Sequence, residues 1–579
     1  MQVAPSLISK ITYFILAGII LFSCSNGGDS AIPITPTPTP DVITTPADPA
    51  VASTVGFFLD NWQAKQYVPP TYVSGEIPSA ASTTVTIDAT SIIAKIPTTI
   101  FGQNGNNWSG KLNEASFITD LTNLQPHIVR LPGGSGSDAY FWNAVDATSP
   151  GVPDCYIDKE GKKQGFTYGK TQENWRPTVD DYYAMLSKSN SKSIITCNYG
   201  YARYGTGKDP VMDAAKLAAD WVAYDNGRTE YWEIGNESYA DWEAGYRIDV
   251  SKNQDGQPEL LTGKLYAQHF KIFAREMRKA AKAIGKVIKI GAVMQESPIQ
   301  SYQVETTKTW NATMLPEINN QVDYTPDYYI VHNYITPYNE NSAASTILKA
   351  ATTVPAEMMA FVTNELKINN VATKPFAFTE WNMWAKDSKQ QVSNNSGLFA
   401  VIVQAEAIKN KYGLAARWDL ANAWENGNDH GLFSRGEPGI ADWTPRPSFY
   451  HMYYFQKCLG DRLVPTTVAG NQNIKAYAST YTTGQSNVTV LNTSGTAQNV
   501  EIKTKNLSVG TRYYWYSLAG ENDNGEFSRK VKVNDEGTTN AAGGPQNYAT
   551  LKAKSAVTTN GIKVTVPAWG SVYVMIDKK

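Results

Sequence analysis

From about residue 90 onward, short apolar runs alternate with longer amphipathic ones. The short runs predict eight strands, at 98–104, 127–134, 193–200, 229–237, 287–294, 328–334, 376–382 and 413–424. Helical patterns lie between most of them. The clearest is 264–284, where Leu265, His269, Phe273, Met277, Ala280 and Ile284 recur at three- and four-residue spacing. Lys282 followed by Gly285 supplies its C-terminal stop, and His269 on that stripe reads as a packed core histidine. Eight βα units in succession argue for an α/β fold of the closed (β/α)8 TIM-barrel type. Segments 135–175 and 425–445 are then insertions at the catalytic end. An open doubly wound sheet is the alternative, but no Gly-rich dinucleotide fingerprint follows the first strand. The Gly-rich "LPGGSGS" (131–137) lacks the lysine and spacing of a phosphate loop.

From about 460 the helical signal fades. Runs such as "NIKAYASTYT", "SNVTVLNTS" and "IKVTVPAWGSVYVMID" alternate with period two between Gly, Asn and Thr turns. This predicts a C-terminal antiparallel β-sandwich, which the segment 83–90 could join as an extra strand. The N-terminus reads as an export signal: Lys10, then an apolar run from Ile11 to Phe22 too short to span a bilayer. Its end, Leu21-Phe22-Ser23-Cys24, resembles a bacterial lipoprotein signal in which the cysteine is lipidated; an ordinary signal peptide cut nearby is the alternative. The Pro/Thr-rich "AIPITPTPTPDVITTPADPA" (31–50) is a spacer. The expected organisation is a signal peptide over 1–24, a linker over 25–75, the barrel over 76–458 and the sandwich over 459–579. The expected location is the outer membrane, periplasmic or surface-exposed, with Cys24 as the lipid anchor.

Composition narrows the partners. A net charge of −2 and no dense Lys/Arg run leave no electrostatic footprint for nucleic acid. The aromatic content of 11%, with Trp 15 and Tyr 33, suits uncharged carbohydrate, whose rings present apolar C–H faces. With Cys24 acylated, Cys155, Cys197 and Cys458 are an odd number, far apart, without a CxxC, which predicts neither a disulfide framework nor a cysteine metal site. The histidines at 127, 269, 332, 430 and 451 form no HxH or HExxH, so no metal or other cofactor is expected. Nothing in the sequence sets an oligomeric state.

The candidate chemistry lies at two strand ends. "YWEIGNESY" (231–239) carries a strand into Gly235, Asn236 and Glu237, and "FAFTEWNMW" (376–384) carries another into Glu380. A single acid there would be a helix cap or an ion-pair partner. Two, at the ends of the fourth and seventh strands of one barrel, face the same mouth and point to a catalytic pair.

The motifs occur in an order that resembles the retaining (β/α)8 glycoside hydrolases of clan A, and most of all family 51, the α-L-arabinofuranosidases. "IVRLPGG" is similar to that family's Arg-x-Pro-Gly-Gly, "CNYG" to its Asn-x-Gly, and "YWEIGNE" matches its strand-four motif. "VHNY" resembles its His-x-Tyr, and "TEWNMW" its Asp-Glu-Trp-Asn-x-Trp with Thr379 in place of the Asp. The resemblance implies that Glu237 is the general acid/base and Glu380 the nucleophile, with Asn236 on the neighbouring sugar hydroxyl, Arg130 beside Glu380, and Tyr334 on its second oxygen. It also implies substrate contacts from His332, Asn104 and Asn198, and stacking faces on Trp381, Trp384 and Trp424. Glu233, of the same strand parity as Glu237 but deeper, reads as a structural acid.

The pattern departs where family 51 holds its sugar. Its first-strand glutamate falls near Gln103, Asn104 or Asn106, and the asparagine after Pro-Gly-Gly is Ser135. The bond-breaking residues are kept while the pocket is altered. The expected activity is retaining hydrolysis of a plant or algal polysaccharide or its oligosaccharides, α-L-arabinofuranosidase-like. An endo-acting agarase- or glucanase-like enzyme, and a non-catalytic glycan-binding surface lipoprotein, are the alternatives.

Overall fold

A computed structural model of the chain describes residues 54–149, 152–336, 340–384, 389–521 and 526–579. The expected signal peptide, Cys24 and the Pro/Thr-rich stretch lie outside the described residues. Eight parallel strands close into a barrel in chain order. They are β1 (Gly102–Asn104), β2 (Ile128–Leu131), β3 (Lys192–Cys197), β4 (Thr229–Ile234), β5 (Lys289–Val293), β6 (Tyr328–Tyr334), β7 (Phe376–Asn382) and β8 (Leu414–Arg417). The predicted strands are the observed ones; 328–334 and 376–382 keep their bounds and the other six are shortened. They read as nearly continuous apolar runs because helices cover their outer face while side chains fill the inside.

The long helix Gly263–Ala283 shows how that outer layer is built. Thr262 caps it through Leu265 N, and Gly285 follows it at φ +68°. Its buried stripe is Tyr266, Phe270, Phe273, Met277 and Ala281, centred one position away from the predicted one at its start. His269 is buried against the Tyr199 hydroxyl (3.1 Å), and burial pushes its imidazole down to about 3. It is a neutral core histidine.

The C-terminal segment forms two packed sheets, and the chain's beginning belongs to both. Thr83–Asp88 sits between Thr466–Ala469 and Gln498–Lys505, antiparallel to the first and parallel to the second. Tyr72–Ser74 adds in parallel to Ala553–Val557. Val85 and Ile87 pack with Val488, Val490, Val564 and Val574 in the core between the sheets. The strand Thr83–Asp88 therefore serves the sandwich, although it lies within the stretch assigned to the barrel from 76. Residues 54–75 are likewise not plain linker: Phe58 is 5% exposed and sits under the barrel floor, its ring 5.0 Å from Tyr231 and 5.8 Å from Tyr328. Gly413 makes room for it, since a Cβ there would come within 2.1 Å of the Phe58 ring.

Barrel and sandwich share one continuous hydrophobic core. His451, on the helix Pro447–Cys458, bonds Asn394 of the barrel's helix Asn394–Lys409 (2.9 Å) and Ser571 of the sandwich (3.2 Å). Tyr573 donates to the His451 carbonyl at 3.0 Å. Replacing Phe58 with alanine should therefore destabilise the whole unit by about 3–5 kcal/mol, as for other buried Phe→Ala changes. A lowered denaturant midpoint would be the measure; an unchanged midpoint would return residues 54–75 to the status of a tether.

Candidate active site

β2 delivers Arg130 inward, and the following cis Leu131–Pro132 bond and Gly133-Gly134 carry the chain tightly over Trp418. Gly134 has φ +67°, and a Cβ on it would lie 2.6 Å from the Trp418 ring, so both conformation and space require glycine. The guanidinium of Arg130, fully buried, is the hub of the site. Its Nε donates to Glu233 (2.6 Å), Nη1 to Asn104 (3.0 Å) and Glu380 (3.1 Å), and Nη2 to Asn236 (2.8 Å). Burial works against its charge, but Glu233 and Glu380 outweigh it and hold the proton more firmly than usual.

β4 ends at Ile234. Gly235 (φ +77°) then turns the chain, and Glu237 takes φ +39°, a left-handed conformation that costs a non-glycine residue energy. The turn aims Glu237 at the end of β6. His332 Nδ1 bonds Glu237 Oε1 (3.1 Å), while its Nε2 bonds the Thr379 hydroxyl (3.0 Å). Thr379, where family 51 has Asp, thus fixes the far side of the imidazole. Tyr334, two residues along β6 and so on the same face, donates to Glu380 Oε1 at 2.7 Å. A register shift between Val331 and His332 sets His332 opposite Glu380.

Glu237, Glu380 and His332 each offer one ligand atom, and these atoms all lie within 4.8 Å of one another. Three such groups can hold a metal ion, but both oxygens of Glu380 are already engaged, one by Arg130 and one by Tyr334. Burial, then the neighbouring Glu237, raise the carboxyl of Glu380 above its ordinary range; His332, Arg130 and the Tyr334 hydroxyl pull it back. Burial likewise pushes the Tyr334 phenol far up, so it acts as a donor.

The structure thus brings Glu237, Glu380, Arg130, Asn236, His332 and Tyr334 together. Trp384 joins them at the rim, its ring 5.2 Å from Tyr334 and 4.9 Å from His430. Other expected contacts fall elsewhere. Asn104 is fully buried and spends its amide on Thr379 O, Ala416 O and Arg130, so it braces Arg130 instead of meeting a ligand. Asn198 holds the turn after β3, bonding Tyr140 O, Tyr201 N and the Tyr204 hydroxyl. Trp381 faces outward into the core beside Phe378 and Phe399, because neighbours on a strand point to opposite faces and Glu380 points in. Trp424 lies beside Arg446 and Arg529 at the junction with the sandwich. Asn106 bonds Asp419 (2.5 Å) and Ala421 O. Glu233 accepts from Arg130 and Thr196 deep in the barrel, a structural acid.

Sequence reasoning missed Trp242 and Glu243. Trp242 is 59% exposed, and its indole Nε1 donates to Glu237 Oε2 (3.2 Å). Glu243 is buried and accepts from Ser135 (2.7 Å) and Asn236 (3.1 Å). Both come from the loop after β4, where no periodicity marks a side chain's direction.

No family model matches the chain, and no curated protein matches it. Solved structures do. An α-L-arabinofuranosidase from Thermotoga maritima in complex with arabinose is 17% identical, with a TM-score of 0.59 over 86% of this chain and 100% of that one. A thermostable GH51 α-L-arabinofuranosidase from Thermotoga petrophila is 16% identical (TM-score 0.60, 86% and 100%). A family 44 xyloglucanase from Paenibacillus polymyxa is 12% identical (TM-score 0.56, 86% and 100%). The chain shares with these proteins the architecture of a (β/α)8 barrel followed by a β-rich domain. Its own buried charges give a direct test. Arg130→Met should destabilise the protein by about 3–5 kcal/mol, the cost of stranding buried acids without their cation. Thermal unfolding measures it, and a neutral effect would mean that water reaches the acids around Arg130.

Proposed function

We propose that the chain is a retaining glycoside hydrolase acting on a plant or algal polysaccharide or its oligosaccharides by double displacement, α-L-arabinofuranosidase-like. The observation that carries this reading is the short separation of Glu237 and Glu380, with oxygens within 4.8 Å. Retaining pairs stand roughly 5–5.5 Å apart, whereas inverting pairs need about 6.5–9.5 Å for an intervening water. The fold shared with arabinofuranosidases and a xyloglucanase supports the same class.

In this mechanism Glu380 attacks the anomeric carbon as a carboxylate while Glu237 gives its proton to the leaving oxygen. A glycosyl ester on Glu380 and a free alcohol result. The ester removes the charge on Glu380. Glu237, now ionised, takes a proton from water as the water attacks the anomeric carbon, which restores both acids. Arg130 and Tyr334 keep Glu380 ionised and in place. Asn236 offers its amide to the adjacent sugar hydroxyl, and Trp242 gives the leaving sugar an exposed face beside the acid. That open aromatic face is the feature favouring the second reading, endo attack on a β-glycan chain. The Pro/Thr-rich segment and Cys24 support a lipid-anchored enzyme at the outer membrane.

Glu380→Ala should abolish turnover on a panel of aryl glycosides and polysaccharides, and Glu237→Ala should cost about 10²–10⁴-fold on unactivated leaving groups. NMR of the first-formed product should give the starting anomeric configuration; inversion would remove the covalent route. Binding without turnover on every glycan would leave a glycan-binding lipoprotein. Because Glu380 must be ionised to attack and its carboxyl is pushed up, turnover should fall as pH drops through a value above the ordinary carboxylate range.

A further inference from the structure

Behind the site lies a second pair of buried acids that the mechanism above does not use. Asp138, in the turn Ser135–Ala139 after β2, accepts from Tyr199 N (3.0 Å), Gly200 N (3.3 Å) and Asn236 N (3.1 Å). Glu243 accepts from Ser135 and from the Asn236 side-chain nitrogen, and its second oxygen has no partner. Asn236 is thus gripped at three points: backbone N by Asp138, side-chain nitrogen by Glu243, side-chain oxygen by Arg130. Arg130 and Glu243 together fix which end of the amide faces which way. An asparagine amide is otherwise free to flip, and only its NH₂ end can donate to a sugar oxygen.

We propose that Glu243 and Asp138 are positioning acids for Asn236 and share a single negative charge, with Glu243 carrying the proton. This inference rests on the glycosidase reading for its effect on turnover. Asp138 is fully buried and Glu243 4% exposed, and every donor to either is neutral. The cation facing them is Arg130, whose guanidinium is spent on Asn104, Asn236, Glu233 and Glu380; Glu237 is the other titratable neighbour and brings no positive charge. Cys197 and the phenols of Tyr156, Tyr199, Tyr204, Tyr239 and Tyr266 around them are pushed up by burial and stay neutral. Two adjacent buried carboxyls without a dedicated cation cannot both ionise cheaply. Burial raises Asp138 to about 7, and burial with the Asp138 charge raises Glu243 well above its usual value.

A protonated glutamate has the shape and polarity of glutamine, which separates this proposal from a charged anchor. On 4-nitrophenyl α-L-arabinofuranoside at pH 7.5, where Asp138 carries the charge, Glu243→Ala should lower kcat about tenfold with little change in KM, as for loss of a contact made in the transition state. Glu243→Gln should restore kcat to within about threefold of wild type. A glutamine variant as impaired as the alanine one, or an alanine variant equal to wild type, overturns the proposal. The charge state has its own readout without substrate. A carboxyl raised in the fold contributes most below its unfolded pKa and loses that contribution as pH climbs through the folded value. The Tm of Glu243→Gln relative to wild type should therefore rise between pH 5 and pH 8.5, by about 2 °C or more. A constant difference sinks the shared charge. Should the wild type cleave no glycoside, the glycosidase reading fails by itself, and this Tm comparison decides the acid pair alone.

Discussion

One buried guanidinium organises the site. Arg130 touches a side chain from β1, from β4, from the turn after β4 and from β7, so four separate parts of the barrel are referenced to one rigid, planar cation. Taking that cation out of water costs several kcal/mol, and the cost is offset only while both Glu233 and Glu380 stay with it. The arrangement is self-enforcing: Glu380 keeps its charge because Arg130 is there, and Arg130 stays buried because the acids are there. The close approach of Glu380 to Glu237 is tolerable on the same terms. Two carboxylates in a dry pocket would repel each other into protonation, but Arg130 and the Tyr334 hydroxyl bind both oxygens of one of them.

The barrel was legible because it is built from strong periodic signals. Every predicted strand exists, and the acids at the ends of β4 and β7 meet because in-register parallel strands deliver their C-terminal ends to one face. Strand parity also carried information that motif matching overlooked: with Glu380 inward, Trp381 had to point outward. Asn104 and Asn198 were legible as polar residues near strand ends, but not as residues already satisfied. Their amides end on carbonyls and hydroxyls contributed by other elements, such as Thr379, Ala416 and Tyr140. Glu243 and Trp242 had no sequence signal at all, since a loop residue's direction depends on the turn at Gly235 and the strained φ at Glu237. Phe58 was hidden by its neighbours, a lone aromatic pair following a proline-rich stretch.

The positions near the first strand that depart from the family 51 pattern have a coherent physical form. Where family 51 has a first-strand glutamate, this chain has Asn104 facing Arg130 and Asn106 facing Asp419, both turned to internal bonds. The residue after Pro-Gly-Gly is a serine, and its hydroxyl reaches Glu243. On that side of the pocket the polar side chains are spent on internal bracing.

The sandwich has one further consequence, for how the molecule is made. Its sheets take strands from both ends of the chain: Tyr72–Ser74, Thr83–Asp88 and Ala94–Lys95 from before the barrel, the rest from after it. Thr83–Asp88 pairs with residues nearly four hundred positions downstream, so its edges stay bare until synthesis is almost complete. The barrel closes through neighbours in chain order, whereas this strand meets its partners only after the last barrel strand has been made. A chain stopped short of residue 466 would lack every partner of Thr83–Asp88 and leave both edges of that strand open and adhesive.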